Sequence, residues 1–260
     1  TMAPMDESAN ACQSFLDAGQ YTRDSILKYE SVYGTNFVSP GGVRCATRLI
    51  KKLDLPAHAR VLDVGCGLGG SAFLMAQEFG LDVDAIDLSE NMLALARERL
   101  AQTELKKQVQ LKNQNCLDIC TQNYYDAIYS RDVFLHVADK QQLFSTLYTA
   151  LKPSGKLLIT DYCCDEEPWQ SDFSTYVKSR GYHLCTVSDY RKLLEAAGFG
   201  IIEAIDRTKD FIQFCKTELD TINSLDIAQS DRTSLKNDWL QKIERTRVSN
   251  QRWGMFYAAK

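Results

Sequence analysis

Val61-Leu62-Asp63-Val64-Gly65-Cys66-Gly67-Leu68-Gly69-Gly70 joins an apolar strand to a glycine loop, and a helix-like run, Ser71 to Phe79, follows at once. Glycine lets the backbone turn sharply and bring its N–H groups against a ligand that a loop with side chains could not approach. Gly65, Gly67 and Gly70 satisfy G-x-G-x-x-G, the spacing of dinucleotide-binding loops. That spacing alone needs support, and two acids supply it. Asp63 precedes the first glycine by two residues, and Asp87 ends the next apolar run, Val83-Asp84-Ala85-Ile86-Asp87. An acid at the tip of a second strand, about 20 residues on, is placed to grip both hydroxyls of a ribose.

Outward from this stretch the chain alternates. Strands are expected over 61–65, 82–87, 108–113, 125–130 and 156–163, and helices over 70–79, 89–102 and 139–151. Ser89 ahead of Glu90 and an apolar-periodic run reads as a helix cap, and Pro153-Ser154-Gly155 as a turn before Lys156-Leu157-Leu158-Ile159-Thr160. Such alternation predicts an α/β domain, a parallel sheet with helices on both faces. On the amino-terminal side, 10–32 and 42–53 have helical periodicity with Gly41-Gly42 between them. Past residue 164 come a polar, aromatic-rich section (165–185), a helix (188–197), a strand (201–206), a long helix (209–247) and a closing strand (252–259). An insertion after the fifth strand would sit above the carboxyl ends of the sheet and serve as a lid.

A chain of 260 residues can build one large α/β domain or two small ones. Thirty basic against 34 acidic residues leave a charge of −4, which argues against a nucleic-acid partner. No apolar run reaches the ~18 residues needed to span a bilayer, and an amino terminus with Asp6 and Glu7 does not read as a signal peptide. Nine cysteines without paired C-x-x-C spacing point away from a zinc site or disulfide framework and toward reduced thiols in a cytoplasmic protein. No metal is expected.

Among three histidines, His136 stands out, because it follows Ser130-Arg131-Asp132 just past the fourth strand. Asp132 and His136 are four apart, so one helical turn would put them on one face, where a carboxylate fixes the imidazole tautomer and raises its basicity. The same spacing suits a surface ion pair. His58 precedes the first strand and reads as structural; His183 could be either. Tyr162, Tyr176, Tyr182 and Arg180 fall in or beside the lid, with Lys242 in the late helix. Phenols with a guanidinium make a phosphate cradle, although the rings could equally fill a small core. Asp118, after the third strand, could accept an adenine amino group or be a loop acid.

Asp63 and Asp87 with Asp-x-Gly-x-Gly resemble the S-adenosylmethionine site of class I methyltransferases, where Asp63 would lie at the amino-acid end of the cofactor. Further runs are more specific. Gln20-Tyr21, Tyr29-Glu30-x-x-Tyr33-Gly34, Val38-Ser39-Pro40-Gly41-Gly42, Tyr129-Ser130-Arg131-Asp132-x-x-Leu135-His136, Leu151-Lys152-Pro153, Ile159-Thr160-Asp161-Tyr162-Cys163, Tyr176-Val177-Lys178-x-Arg180-x-Tyr182 and Gln251-Arg252-Trp253-Gly254 resemble the phosphoethanolamine N-methyltransferases of plants, nematodes and malaria parasites. The similarity runs from about residue 12 onward, and the length matches the compact, single-domain form.

That resemblance implies a Rossmann-like class I methyltransferase fold, with seven mostly parallel strands, one antiparallel strand and a helical lid insertion. The single domain would divide into a helical cap (1–60), a cofactor-binding core (61–163), a substrate lid (164–200) and closing strands and helix (201–260). Tyr21 and His136 would form a latch over the substrate, with Asp132 orienting His136. Gln20, Val38, Ser39, Asp63, Gly65, Gly67, Asp87, Leu88, Met92, Asp118, Ile119 and Arg131 would line the pocket for S-adenosylmethionine and its product S-adenosyl-L-homocysteine. Tyr21, Tyr162, Tyr176, Arg180, Tyr182 and Lys242 would hold the substrate, the last five at its phosphate. The implied partner is a small phosphobase, with no nucleic acid, no membrane and a monomeric state. Other readings stay open on the residues: methylation of a different small acceptor, an NAD(P)-linked oxidoreductase, or a catalytically silent cofactor-binding protein.

Overall fold

Every second residue of the strand Arg60–Val64 (β1) feeds a different core, the signature of a strand covered on both faces. Val61 packs in a cluster with Val83, Ala85, Ala127, Tyr129 and Leu158, whereas Leu62 and Val64 join Ile86, Ile128, Leu157 and Ile159 on the other side. The computed structural model describes residues 21–260.

In chain order the elements are helices α1 (Arg23–Tyr33) and α2 (Gly42–Leu53), β1, α3 (Gly70–Phe79), β2 (Asp82–Asp87), α4 (Glu90–Leu100), β3 (Val109–Asn113), β4 (Tyr125–Arg131), α5 (Lys140–Ala150), β5 (Leu151–Cys164), α6 (Ser171–Arg180), α7 (Val187–Ala197), β6 (Gly200–Asp206), α8 (Thr208–Ser224), α9 (Gln229–Val248) and β7 (Gln251–Ala259). They form a seven-stranded sheet of order β3-β2-β1-β4-β5-β7-β6. All pairs are parallel except those of β7, which runs antiparallel to both β5 and β6. The expected α/β class and the single antiparallel strand are both present. Strand order reverses between β1 and β4, so ligands are expected beyond their carboxyl ends. Those ends carry Asp63 and Arg131.

Local chemistry explains most boundaries. Ser89 caps α4 by accepting from the Met92 N–H at 3.2 Å, as expected. Thr22 caps α1 through the Ser25 N–H, so the described part of the helix read over 10–32 begins at Arg23; residues before 21 lie outside those described. The turn at 153–155 falls inside β5 as an irregularity. Register shifts between Tyr125, opposite Leu151, and Ala127, opposite Lys156, and Ser154 takes a positive φ of 66°. The long helix read over 209–247 is two helices. Arg232 holds the break between them, donating from Nη1 to the carbonyls of Ile222 and Asn223 and from Nη2 to that of Leu225, groups a helix end leaves unpaired.

Of the segment read as a lid, α6 and the turn after it, with Tyr182, belong to the site. Helix α7 is a crossover helix packed on the sheet, with Tyr190 and Leu194 fully buried and Tyr190 stacked on Phe256 at 3.9 Å. Among the described residues no helix is long and apolar enough to cross a membrane, and no cluster of His, Cys, Asp or Glu could hold a metal ion.

Candidate active site

The turn after β1 opens the site. Gly65 has φ +74°, and a Cβ there would lie 2.2 Å from Val133 Cγ2, so the loops after β1 and β4 meet only because this residue is glycine. The N–H groups of Gly65 and Cys66 both donate to the Ile86 carbonyl, drawing the loop over β2. Asp87 completes the corner: its carboxylate accepts from the N–H of Gly67 and that of Ser89, each at 2.8 Å. These bonds fix the Asp87 oxygens at the mouth of the loop.

Beyond the loop lies a cavity of about 470 Å³, within the range of small-molecule sites. It runs from the glycine loop, past the end of β4, to α6 and α9. Val38, Ser39, Asp63, Gly65, Gly67, Asp87, Leu88, Met92 and Arg131 line its first half, and Tyr21, Asp132, His136, Tyr162, Tyr176, Arg180, Tyr182 and Lys242 the second. Two expected residues do not. Asp118 and Ile119 fall just past the wall, which Gln114, Asn115, Cys116 and Leu117 form instead; the 3₁₀ turn Cys116–Asp118 presents its first two residues, and Ile119 packs beneath α5. Gln20 lies outside the described residues.

Two buried polar atoms at the first end have no hydrogen-bond partner among the described residues: Asp63 Oδ2 and Arg131 Nη1. Burial, with Asp87 adding to it, pushes the Asp63 carboxyl up to about 8 against the opposing pull of Arg131. An ammonium beside Asp63 and a carboxylate beside Arg131 are what these atoms lack, so an α-amino-acid head fits between them. Asp87, at the tip of β2, faces where a ribose would follow. The residues present therefore suit the adenosyl–amino-acid cofactor that the sequence resemblance implies.

At the centre, the Tyr21 hydroxyl and His136 Nε2 are 3.2 Å apart. The expected pairing of Asp132 with His136 does not form. Asp132 has φ +57°, outside any helix, and only the single 3₁₀ turn Phe134–His136 follows. Its carboxylate instead accepts from Trp253 Nε1 at 2.7 Å and from the Thr160 hydroxyl at 3.3 Å, with Arg131 Nη2 at 3.8 Å. Nor is His136 made more basic. Burial, with Lys140 and His183 nearby, pushes the imidazole down to about 4, so it is neutral at pH 7. Tyr182 meets it edge-on, with ring centroids 5.5 Å apart.

The second end gathers cations among rings. Lys242 Nζ lies 3.8 Å from the centre of the Trp239 ring and donates to the Tyr33 hydroxyl at 2.9 Å; desolvation lowers its pKa. Arg180 lies 5.8 Å from the Tyr176 ring, and Arg245 covers that ring at 3.9 Å. Tyr162 packs edge-on against Phe211, its phenol raised well above the usual range by burial. Phenol groups and three cations, Lys242, Arg180 and Arg245, suit this end to a small anion.

Sequence reasoning missed Arg245, Asp238 and Gln241, which line the cavity with Lys242. Their spacing, 238, 241, 242 and 245, is one face of a helix, beside the stripe of Leu235, Trp239 and Ile243, which is buried. That polar stripe was a readable signal. Trp253 as the partner of Asp132 was not, because the two are 121 residues apart.

A family model described as a methyltransferase domain matches residues 55–198. Phosphoethanolamine N-methyltransferase 1 of Arabidopsis thaliana is 40% identical over 98% of this chain and 53% of its own length. Phosphoethanolamine N-methyltransferase of Plasmodium falciparum is 33% identical over 98% of both chains. Among solved structures, phosphoethanolamine N-methyltransferase 2 of Haemonchus contortus, in complex with phosphomonomethylethanolamine and S-adenosylhomocysteine, superposes with a TM-score of 0.91 at 34% identity, over 96% of this chain and 60% of that one. The chain thus spans about half the length of the plant relatives and nearly all of the parasite one. A two-ended cavity at the sheet's switch point, and relatives that align over almost the whole chain at 33–40% identity, place this chain in the phosphoethanolamine N-methyltransferase family.

Proposed function

We propose that this chain transfers the methyl group of S-adenosylmethionine to the amine nitrogen of phosphoethanolamine, of its mono- and dimethyl forms, or of all three, the last step giving phosphocholine. The observation that supports this reading is one cavity with unlike ends, an acid–guanidinium pair with open valences at one and a tyrosine–cation cradle at the other, with Tyr21 and His136 in contact between them. The Haemonchus relative binds a phosphobase and the spent cofactor together, as such a cavity would require.

Asp63 would hold the ammonium of the cofactor, Arg131 its carboxylate and Asp87 its ribose hydroxyls. S-adenosylmethionine supplies, when bound, a methyl carbon made electrophilic by its sulfonium. The chain's own task is to present a neutral amine in line with the S–CH₃ bond at near-attack distance. Arg180, Lys242 and the tyrosines set that reach by anchoring the phosphate. An alkylammonium titrates near 10, so freeing its lone pair at pH 7 costs about 4 kcal/mol. His136, kept neutral by burial, has a lone pair to receive the proton, directly, through the Tyr21 hydroxyl or through water. A phosphate dianion in the cradle raises the imidazole's proton affinity again, which ties proton uptake to the presence of substrate. Asp132, held by Trp253 and Thr160, faces the nitrogen as its positive charge grows. Closure by Tyr21 over the substrate excludes bulk water.

Mass spectrometry of products from phosphoethanolamine and its mono- and dimethyl forms, each with S-adenosylmethionine, tests the reading. Methyl transfer to at least one of the three is expected; none, from protein that binds the cofactor, would overturn it.

A further inference from the structure

The two ends of the cavity are joined through the protein by a buried run of hydrogen bonds that the chemistry above does not use. At its centre is the peptide unit between Pro40 and Gly41. Its carbonyl oxygen accepts from Arg131 Nη2 at 2.7 Å, and its N–H donates to Glu218 Oε2 at 3.1 Å. The other carboxylate oxygen, Glu218 Oε1, accepts from Trp239 Nε1 at 3.2 Å. Trp239 is fully buried, and its ring is the floor on which the Lys242 ammonium rests. Read from one end to the other, the run begins at a cavity-lining guanidinium with one unpartnered nitrogen and finishes beneath a cation of the anion cradle.

Glu218 is out of place as a packing residue. It is 7% exposed and shares a helical face of α8 with Phe211, Cys215 and Ile222, all buried. A carboxylate in such a stripe destabilises the fold unless donors surround it. Here two N–H groups do, one next to Pro40 and one beneath Lys242. The Lys242 ammonium is close enough for the two charges to act on each other.

We propose that Glu218 is a positioning residue that couples the two ends of the cavity, so that a ligand on one end orders the wall of the other. A cofactor on Arg131 fixes that guanidinium and, through its second nitrogen, the Pro40–Gly41 peptide plane. Glu218 passes the constraint to Trp239 and hence to the height of Lys242 over its ring. An anion on Lys242 transmits the same constraint backward, because coupling between two binding sites is reciprocal. This inference rests on the two-ligand reading of the cavity proposed above.

Calorimetric titration of phosphocholine, with and without saturating S-adenosylhomocysteine, tests it on the intact chain, Glu218→Gln and Trp239→Phe. Glutamine keeps the volume but turns an NH₂ toward one of the two N–H groups. Phenylalanine keeps a ring under Lys242 and removes the donor together with part of the indole's volume. In the intact chain S-adenosylhomocysteine is expected to tighten phosphocholine binding by about fivefold or more. In both variants the gain should shrink to less than about twofold, with melting temperatures of the ligand-free proteins close to the parent, an outcome that loss of folding alone would not produce. Should Glu218→Gln fail to fold, Trp239→Phe carries the same test. A full gain in a folded variant, or no gain in the intact chain, overturns the inference. An intact chain that binds S-adenosylhomocysteine but never phosphocholine overturns the reading of the cavity itself.

Discussion

Asp63 is an acid that burial keeps largely protonated at neutral pH, and that fact has a measurable consequence. Its carboxyl in the free protein titrates at about 8. A bound ammonium favours the ionised form, so binding releases a proton below that pH. Affinity for S-adenosylhomocysteine should therefore rise from pH 6 to 8, by up to about tenfold per unit, and level off above. Titration calorimetry in buffers of different ionisation enthalpy checks both the slope and the proton; a flat profile would remove Asp63 from the amino-acid end. Trp253 makes a second case. Trp253→Phe deletes the 2.7 Å bond to Asp132, leaves a buried carboxylate short of a donor and should lower kcat by about tenfold while the Kd for S-adenosylhomocysteine stays put. Steady-state kinetics beside calorimetry separates the two; equal losses in both would make Trp253 a packing residue only. Asp63 and Asp87 were readable because a strand–glycine–helix run announces its acids. The true neighbours of Asp132 were hidden by a left-handed residue where helical spacing had been assumed.

At the scale of elements, two loops and two helices decide the geometry. The loop after β1 touches the loop after β4 at Gly65 and Val133. Gly65→Ala adds a methyl group into Val133 and strains a φ of +74°, so it should lower stability by about 1–3 kcal/mol and weaken S-adenosylhomocysteine binding. Val133→Ala in the same chain removes the two nearest contacts but keeps a Cβ 2.8 Å from the added methyl, along with the strained φ, and should return part of the stability in a denaturant melt. No recovery would mean that the backbone and that remaining Cβ, not the valine methyls, set the glycine requirement. Helix α1 brings Tyr29 and Tyr33 over the cavity and is pinned to α4 by Arg99, whose guanidinium pairs with Glu30 and reaches Asn36 at 2.9 Å. Apart from α6, which lies in the section read only as polar and aromatic-rich, helices and parallel strands were legible from apolar periodicity. Their ends were less so, since Thr22, Arg232 and Ser154 act through caps and kinks that periodicity does not carry.

Across the whole molecule, the sheet puts one cavity where strand order reverses and the later helices close it. The glycine loop and the alternation of strands and helices foretold the first half of that cavity. The second half draws on residues 21, 136, 162, 180 and 242, whose meeting depends on how α1, α6 and α9 pack. A one-dimensional pattern reports such packing only where another chain with the same pattern is known, as the tyrosine and arginine runs near residue 180 illustrate. What the arrangement requires is an anion anchored on Arg180 and Lys242 with its amine delivered to Tyr21 and His136. The distance from that amine to those two side chains, in a crystal of the chain with S-adenosylhomocysteine and phosphoethanolamine, tests it most directly. The nitrogen should lie within about 3 Å of the Tyr21 hydroxyl, of His136 Nε2 or of a water bridging to them, with the phosphate on the cradle. A nitrogen more than about 8 Å from the imidazole, with no bridging solvent, would contradict the assignment of His136 as proton acceptor.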